Sequence, residues 1–536
     1  MYSFHTKHNI TALCTGLLLW LTAPLTQAGF RFDPQDCITL PAPDTALFQA
    51  TQRFQDQVGN DFWHAPGRLE SLIQQLAALT ADGLDPQHYH ITDLREVLGF
   101  RNTWGSLNDC DAELASFAYL SALADLGYGR PADTEADATW YSPQLGDRRS
   151  VDNLLALAGG GNQPVSTTFD QTRPALPRYQ NLRQAYQHAR EALPARWPTL
   201  DTGPTLAPGD RTAEVRMLRQ RLQAEGYADL TSTTDPDYFD NALAEAVRAF
   251  QRRHYLTADG RVGDNTRAQL NVQPQHRLAQ IRANLERMRR LAADLEQTML
   301  LVDIAAARIE YYRQGELAWS GRAQVGQPLR ETPRLKSLIT HVTVNPSWTI
   351  PTTIFVEDKL PLIQQDPGYL EDRNISVFNY RGDRLDAADV DWNNPRGILL
   401  RQAPGPGNAL GKVVIRFSNP FAVYLHDTPS SWLFNTNSRF YSSGCVRVED
   451  AMSLAETLIG DAPTRYRKQF EELRASGESH NVHLPRSVPV LLAYWTAEAD
   501  SDGHLMFRPD AYDIDAPLIA DDPLLQPAMV SADHTH

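Results

Sequence analysis

Apolar positions along the chain change their period from region to region. Leu69, Leu72, Ile73, Leu76 and Leu79 recur at helical spacing and stop at Asp82-Gly83, and a second apolar helix is predicted from Leu114 to Leu126, ending at Gly127. Gly159-Gly160-Gly161 marks a loop, and Pro194, Pro198, Pro204 and Pro208 mark a linker. Between 206 and 271 the helices are shorter. Val215, Leu218 and Leu222 form one face and Val247 and Phe250 another; Asp259-Gly260 and Gly263 precede a short helix with Thr266 and Leu270. Leu278, Ile281, Leu285, Met288 and Leu295 then make an amphipathic helix, with Arg282, Arg289 and Arg290 off the stripe as a solvated basic face. From Met299 the period becomes two, with strands predicted at 299–304, 308–312, 341–344, 413–417, 423–425 and 488–495.

These shifts predict a multidomain α+β chain. A helical scaffold domain occupies 29–200, a three-helix module 206–271, a linking helix 276–297 and a mostly-β domain 298–513. The stretch 351–399 breaks the strand pattern as a capping insertion, and 514–536 reads as a flexible tail. Residues 1–28 have the pattern of a signal peptide: Lys7 precedes the short apolar run Ile10 to Leu21, and Thr26 and Ala28 supply small residues before Gly29. The alternative is an uncleaved anchor, although so short a run spans about 30 Å of hydrocarbon poorly. The formal charge of −15 over 536 residues argues against nucleic acid or anionic lipid as main partners. No nucleotide or metal spacing stands out. Gly405, Gly407 and Gly411 lack a following helix, and His88 and His90 sit on a loop without further ligands nearby, so no cofactor is expected.

Export makes the cysteines informative. Cys37, Cys110 and Cys445 remain after cleavage, an odd number for an oxidising compartment. Cys37 and Cys110 share the N-terminal region and are a candidate disulfide. Cys445 is left over. It follows His426 across a polar loop, and a histidine is suited to take the proton of a thiol that is only slightly ionised near neutrality. Gly444 lets the backbone approach a substrate carbonyl, so the N–H groups of Gly444 and Cys445 are oxyanion candidates. A helix predicted from Glu449 to Ile459 would turn its positive end toward Cys445. The alternative is a buried structural cysteine beside a satisfied strand histidine.

The segment from Tyr424 through His426 to Ser442-Ser443-Gly444-Cys445-Val446-Arg447-Val448-Glu449 resembles the catalytic signature of the L,D-transpeptidases. It departs from the short-chain pattern at Ser443, where many members have histidine, and at Arg447, where many have asparagine. Its form is similar to the long, multidomain periplasmic branch. Further matches to that branch are Asn345-Pro346-Ser347-Trp348, Asp366-Pro367-Gly368-Tyr369-Leu370, Pro404-Gly405-Pro406 with Asn408-Ala409-Leu410-Gly411, and Tyr494-Trp495-Thr496-Ala497. The module at 206–271 resembles a peptidoglycan-binding module; the alternative is a helical spacer.

The resemblance implies an acyltransferase of peptidoglycan biosynthesis, working in the periplasm and contributing to cell-wall organisation and cell shape. It would form 3→3 crosslinks between diaminopimelate residues, with tetrapeptide stems as donors and an acceptor diaminopimelate as partner; other wall-synthesis proteins are further candidate partners. Cys445 is the implied nucleophile and His426 its base. Tyr424, Trp348, Ser442, Ser443 and Arg447 are candidate substrate contacts, against the alternatives that Tyr424 and Trp348 are core and that Arg447 pairs with Glu449. Three rival functions keep the same motif: a cysteine carboxypeptidase or amidase, a transpeptidase that anchors a protein to the wall, and a silent wall-binding scaffold.

Overall fold

The helix Pro274–Ala292 is where the parts of the chain meet. The computed structural model describes residues 45–519, apart from 106, 131–139, 142–147, 228, 232–233, 367, 437 and 461. The expected signal peptide, Cys37 and residues 520–536 lie outside the described residues. On one side of the helix, Leu278, Ile281, Leu285 and Met288 pack with Tyr179, Leu182 and Tyr186 of Pro177–Ala192, and with Met299, Leu301, Leu491 and Trp495 of the β-rich domain. Burial of this stripe follows from its 3.6-residue period.

The expected solvated basic face is not found. Arg289 is fully buried, pairs with Glu286 at 2.6 Å, and donates to the Asp82 carbonyl. Arg287 pairs with buried Asp515, and Arg282 donates to the Gly83 carbonyl at 3.2 Å. The partners come from sequence-distant segments, which a helical wheel does not display. Asp82, which reads as turn punctuation, is itself buried and accepts from Arg173, Arg183 and the Tyr179 hydroxyl. Buried charges persist only when paired in this way.

The N-terminal helices wrap Asp109–Tyr128, whose apolar residues Leu114 to Leu126 are buried on nearly every side. An Asn108/Asp111 capping box starts this helix. The module at 206–271 has its own core, with Val215, Leu218 and Leu222 of Ala213–Ala224 against Val247 and Phe250 of Asn241–Arg253 and Leu270 of Asp264–Asn271. Buried Gln251 clamps its turn, donating to Asp259 and Arg261 and accepting from the Gly260 N–H.

In the β-rich domain, Arg334–Val344 pairs with Val413–Phe417, and the sheet continues through Leu425–His426, Val446–Val448, Glu316–Gly326, Arg308–Arg313 and Met299–Asp303 to His480–Ala493. The last of these also pairs with Arg334–Val344, so the sheet closes on itself. Closure removes exposed edges. One face carries Leu425, Val446, Val448, Val413 and Ile415 into a core completed by Leu454, Ala455 and Leu458 of the helix Ala451–Gly460. The connection between Arg334–Val344 and Val413–Phe417 holds the insertion expected at 351–399. It contains a small sheet of Trp348–Thr349, Ile398–Gln402, Ile375–Asn379 and Arg384–Leu385, in that order, and its apolar cluster sits on Val414. The expected tail starts later than 514: Asp515 is buried against Arg287 and Thr496, and Ala516–Ile519 is helical.

Candidate active site

Register decides which side chains share a face. Leu425 pairs with Val446 and His426 with Arg447 in parallel strands; Val414 pairs with His426, and Gln324 with Arg447. Because strand side chains alternate, His426, Arg447, Gln324 and Val414 face away from the core, and the same alternation brings Arg416 to that side; Cys445, just ahead of its strand, packs partly against the core and bonds Tyr424. The insertion packs on this face through Val414, and Trp348 and Tyr424 belong to its apolar cluster. The sheet therefore gathers the nucleophile candidate, the histidine and two arginines beneath the cap.

Cys445 is free and half-buried. The Tyr424 hydroxyl bonds its sulfur and in turn accepts from Trp348, while the Tyr424 ring meets the His426 ring edge-on at 5.7 Å. Trp348 and Tyr424 are thus both packed in the cap cluster and in contact with the site, so the alternatives of core and site merge. His426 is buried and its Nδ1 donates to the Asp427 carbonyl at 2.5 Å. That bond fixes the tautomer and leaves Nε2 as the acceptor nitrogen.

Electrostatics keep both groups neutral at rest. Burial, reinforced by the charges of Arg447 and Arg416, drives the His426 imidazole down to about 3. Burial pushes the Cys445 thiol up, although the Tyr424 bonds and the same two arginines pull the other way. The helix expected to assist begins at Ala451, with the strand Val446–Val448 between it and Cys445. The expected outcome is that Cys445 alkylation by iodoacetamide, followed against pH, climbs only on the alkaline side and shows no step near 6.5. A fast, flat rate from pH 6 upward would instead reveal a thiolate–imidazolium pair.

The turn before the nucleophile is tightly built. Gly444 has φ +106°, a conformation that favours glycine, and a Cβ there would meet the Glu331 carbonyl at 3.3 Å. Its N–H donates to Ser442 Oγ at 3.2 Å, its carbonyl accepts from Thr332, and Ser442 Oγ donates to the Cys445 carbonyl. The Gly444 N–H expected for an oxyanion is therefore engaged, and Ser442 is a buried brace for the turn. Ser443 accepts from Arg330 Nη1 at 2.9 Å, and Arg330 also pairs with Glu357 and Asp358 of the cap.

Arg447 does not pair with Glu449, which is held by Arg322; it donates to Gln324 at 3.0 Å. Arg416 lies 4.9 Å over the Tyr424 ring and donates to Thr343 at 3.2 Å. Among the described residues neither arginine has a carboxylate partner. Arg416, Gln324 and Arg330 are absent from the sequence-based site because they come from separate strands and loops. The available signal was a lone polar residue inside an apolar strand, as Arg416 is in Val413–Phe417.

The described residues that group as possible metal ligands are Asp500, Asp502 and His504, on the turn of the hairpin formed by Ala497–Ala499 and Leu505–Phe507. Asp500 there accepts from the Asp502 and His504 N–H groups, which closes the turn. Cys110 is disulfide-bonded; among the described residues the other cysteine, Cys445, is free.

Residues 297–464, which contain His426 and Cys445, match the family described as "L,D-transpeptidase catalytic domain". The chain carries an L,D-transpeptidase catalytic domain. Residues 211–270 match the "Putative peptidoglycan binding domain" and 49–185 the "Scaffold domain". Together the three matches divide the chain into a scaffold region, a peptidoglycan-binding-like module and a transpeptidase-like catalytic region. A curated protein from Haemophilus influenzae, described as "Putative L,D-transpeptidase", is 37% identical over 220 residues, 40% of this chain and 44% of that protein. The chain thus matches less than half the length of that relative. A solved L,D-transpeptidase from Mycobacterium smegmatis is 14% identical, covering 37% of this chain and 58% of that one with a TM-score of 0.17. One from Xylanimonas cellulosilytica is 15% identical, covering 55% and 99% with a TM-score of 0.16. Scores that low carry no structural argument, and the transpeptidase domain is assigned on sequence.

Proposed function

We propose that the enzyme forms 3→3 crosslinks in peptidoglycan through a Cys445 thioester. His426 Nε2 takes the thiol proton as sulfur attacks the carbonyl carbon of the third stem residue, diaminopimelate. The bond to the terminal D-Ala breaks, and His426 returns the proton to the leaving amine. The side-chain amine of an acceptor diaminopimelate then attacks the thioester, forming the new amide and restoring the thiol. The Nδ1–H bond to the Asp427 carbonyl leaves Nε2 as the nitrogen that can accept and return the proton.

The observation that carries the reading is the shared site: Cys445, His426 and two arginines that have no carboxylate partner among the described residues lie beneath one cap. Stem peptides present carboxylates, and a guanidinium in a half-buried site pairs with them strongly. The Cys445 N–H and the Tyr424 hydroxyl are the proposed oxyanion donors, since Gly444 is committed to Ser442. No described helix is long and apolar enough to cross a membrane. We place the enzyme in the periplasm, with Cys110 bridged to Cys37.

Products decide the acceptor. Incubated with disaccharide-tetrapeptide, the full chain is expected to give a dimer whose mass is two monomers less one alanine, with a diaminopimelate–diaminopimelate bond on fragmentation. Release of tripeptide and alanine alone would replace crosslinking by hydrolysis.

A further inference from the structure

The strand that carries His426 lies between Val413–Phe417 on one flank and Val446–Val448 on the other. Each flanking strand turns one arginine toward the cap side, Arg416 and Arg447, so a guanidinium stands on either side of the histidine. Arg447 leads toward Gln324 on Glu316–Gly326. Arg416 leads the opposite way. Its register partner on Arg334–Val344 is His341, and the partner of His341 on His480–Ala493 is His483. Side chains directly opposite one another share a face, and the two imidazoles are 5.1 Å apart. The row opens along its length, from half-buried Arg416 and His341 to exposed His483.

Arg416 is held in place by its own hydrogen bonds. Its Nε donates to Thr343 Oγ1 at 3.2 Å, and Thr343 in turn donates to Asn481 Oδ1 at 2.8 Å. The guanidinium lies over the ring of Tyr424, whose hydroxyl bonds the Cys445 sulfur. Arg416 is therefore one aromatic ring away from the nucleophile, and among the described residues its terminal nitrogens have no hydrogen-bond partner. His341 Nδ1 is bonded to Thr340 Oγ1 at 2.9 Å, which leaves Nε2 to meet a ligand. Burial, His483 and Arg416 hold the His341 imidazole below its ordinary value, so at neutral pH it adds a hydrogen bond and not a charge. The fixed cation of this row is Arg416.

Two cations flanking one histidine suit a reaction between two stems. The amine of diaminopimelate that attacks the thioester is bonded to a carbon that also carries a carboxylate; the side-chain amine of lysine is not. As this amine attacks, the N–C bond forms, the C–S bond breaks, and the amine proton passes through His426 to the sulfur. The amine must be uncharged to attack, and the carboxylate beside it favours the ammonium form. A guanidinium paired with that carboxylate offsets this preference and fixes the amine relative to the sulfur. Arg416 has the charge, the free terminal nitrogens and the position to do so, and the open end of its row leaves room for the rest of a stem.

We propose that Arg416, with His341 and His483, forms the acceptor site and takes the carboxylate beside the attacking amine, while Arg447 serves the donor. Its place in the reaction rests on the crosslinking reading above; the binding does not. The test uses the full chain and two tripeptide acceptor stems that differ only at the third residue, diaminopimelate or lysine, which lacks that carboxylate. Acyl-enzyme is first formed from tetrapeptide stem and isolated, so that any effect on acylation does not enter, and its capture by each acceptor is followed by mass spectrometry. Wild type is expected to capture the diaminopimelate stem about tenfold more efficiently, Arg416→Gln to erase that ratio, and Arg416→Lys to restore part of it. Calorimetric binding of the two stems to Cys445→Ala should show the same ratio, lost when Arg416→Gln is added and kept when Arg447→Ala is added. Equal capture and equal binding of the two stems by chains with Arg416 intact would overturn the site, and this comparison stands even where a further substitution fails to fold. A ratio that survives Arg416→Gln, or one that is lost with Arg447→Ala instead, would overturn it as well. Preferential binding of the diaminopimelate stem with hydrolysis as the sole reaction would defeat crosslinking and leave the site standing. Capture of both acceptors at one rate would defeat the site and leave crosslinking standing.

Discussion

Cys445→Ala is expected to bring stem-peptide transfer to background, a loss on the order of 10⁶-fold as for other covalent catalysts stripped of their nucleophile. No other group on the shared face can replace the sulfur: Ser442 Oγ is buried in its bond to the Cys445 carbonyl, and Ser443 is held by Arg330. Exchanging a half-buried thiol for a methyl group removes little packing, so the unfolding midpoint should barely move. His426→Ala should be less severe, about 10²- to 10⁴-fold, because it removes the proton acceptor and not the bond-forming atom. A steady-state release assay with tetrapeptide stem checks both. Full turnover by folded Cys445→Ala would end the covalent account.

Arg447→Ala is expected to lower kcat/KM for tetrapeptide donors by roughly 30-fold, equivalent to about 2 kcal/mol for one charge-assisted bond to a carboxylate. The reason is geometric. Arg447 shares its register position with His426, bonds the neutral amide Gln324 and no carboxylate among the described residues, and is half-buried, so water screens it poorly. Arg447→Lys should recover part of the loss through charge alone, since lysine cannot reproduce the planar fork. The tetrapeptide is also expected to outperform a pentapeptide, whose extra D-Ala must fit where the shorter chain ends, and Arg447→Ala should narrow that preference. Parallel rate measurements on the two stems read both effects. An unchanged ratio in Arg447→Ala would remove this residue from donor choice.

Period and motif made much of the architecture legible. Leu278 to Met288 announced the central helix, and the change to period two at Met299 marked the β-rich domain. The surroundings of those patterns were harder to read. Arg289 looked solvated because its partners, Asp82 and the end of its own turn at Glu286, become one buried network only after the helical domain folds back. Asp515 looked like tail because its partner Arg287 is far away in sequence.

The site divides in the same way. Cys445, His426, Tyr424 and Arg447 lie in motifs that the fold gathers at one site, with Trp348 reaching Tyr424 from the cap. Arg416 joins them only through the pairing of Val413–Phe417 with Leu425–His426, which is a matter of register. The turn that Ser442 and Gly444 close through their hydrogen bonds is a local feature that composition does not reveal.

The central claim is a thioester on Cys445 formed by expulsion of a single D-Ala. Intact-mass measurement of the full chain mixed with tetrapeptide stem, followed by mapping of the modified peptide, tests it most directly. The account predicts an adduct equal to the stem less one alanine, located on Cys445 and absent from Cys445→Ala. An unmodified enzyme that still releases alanine, or an adduct on any other residue, would contradict it.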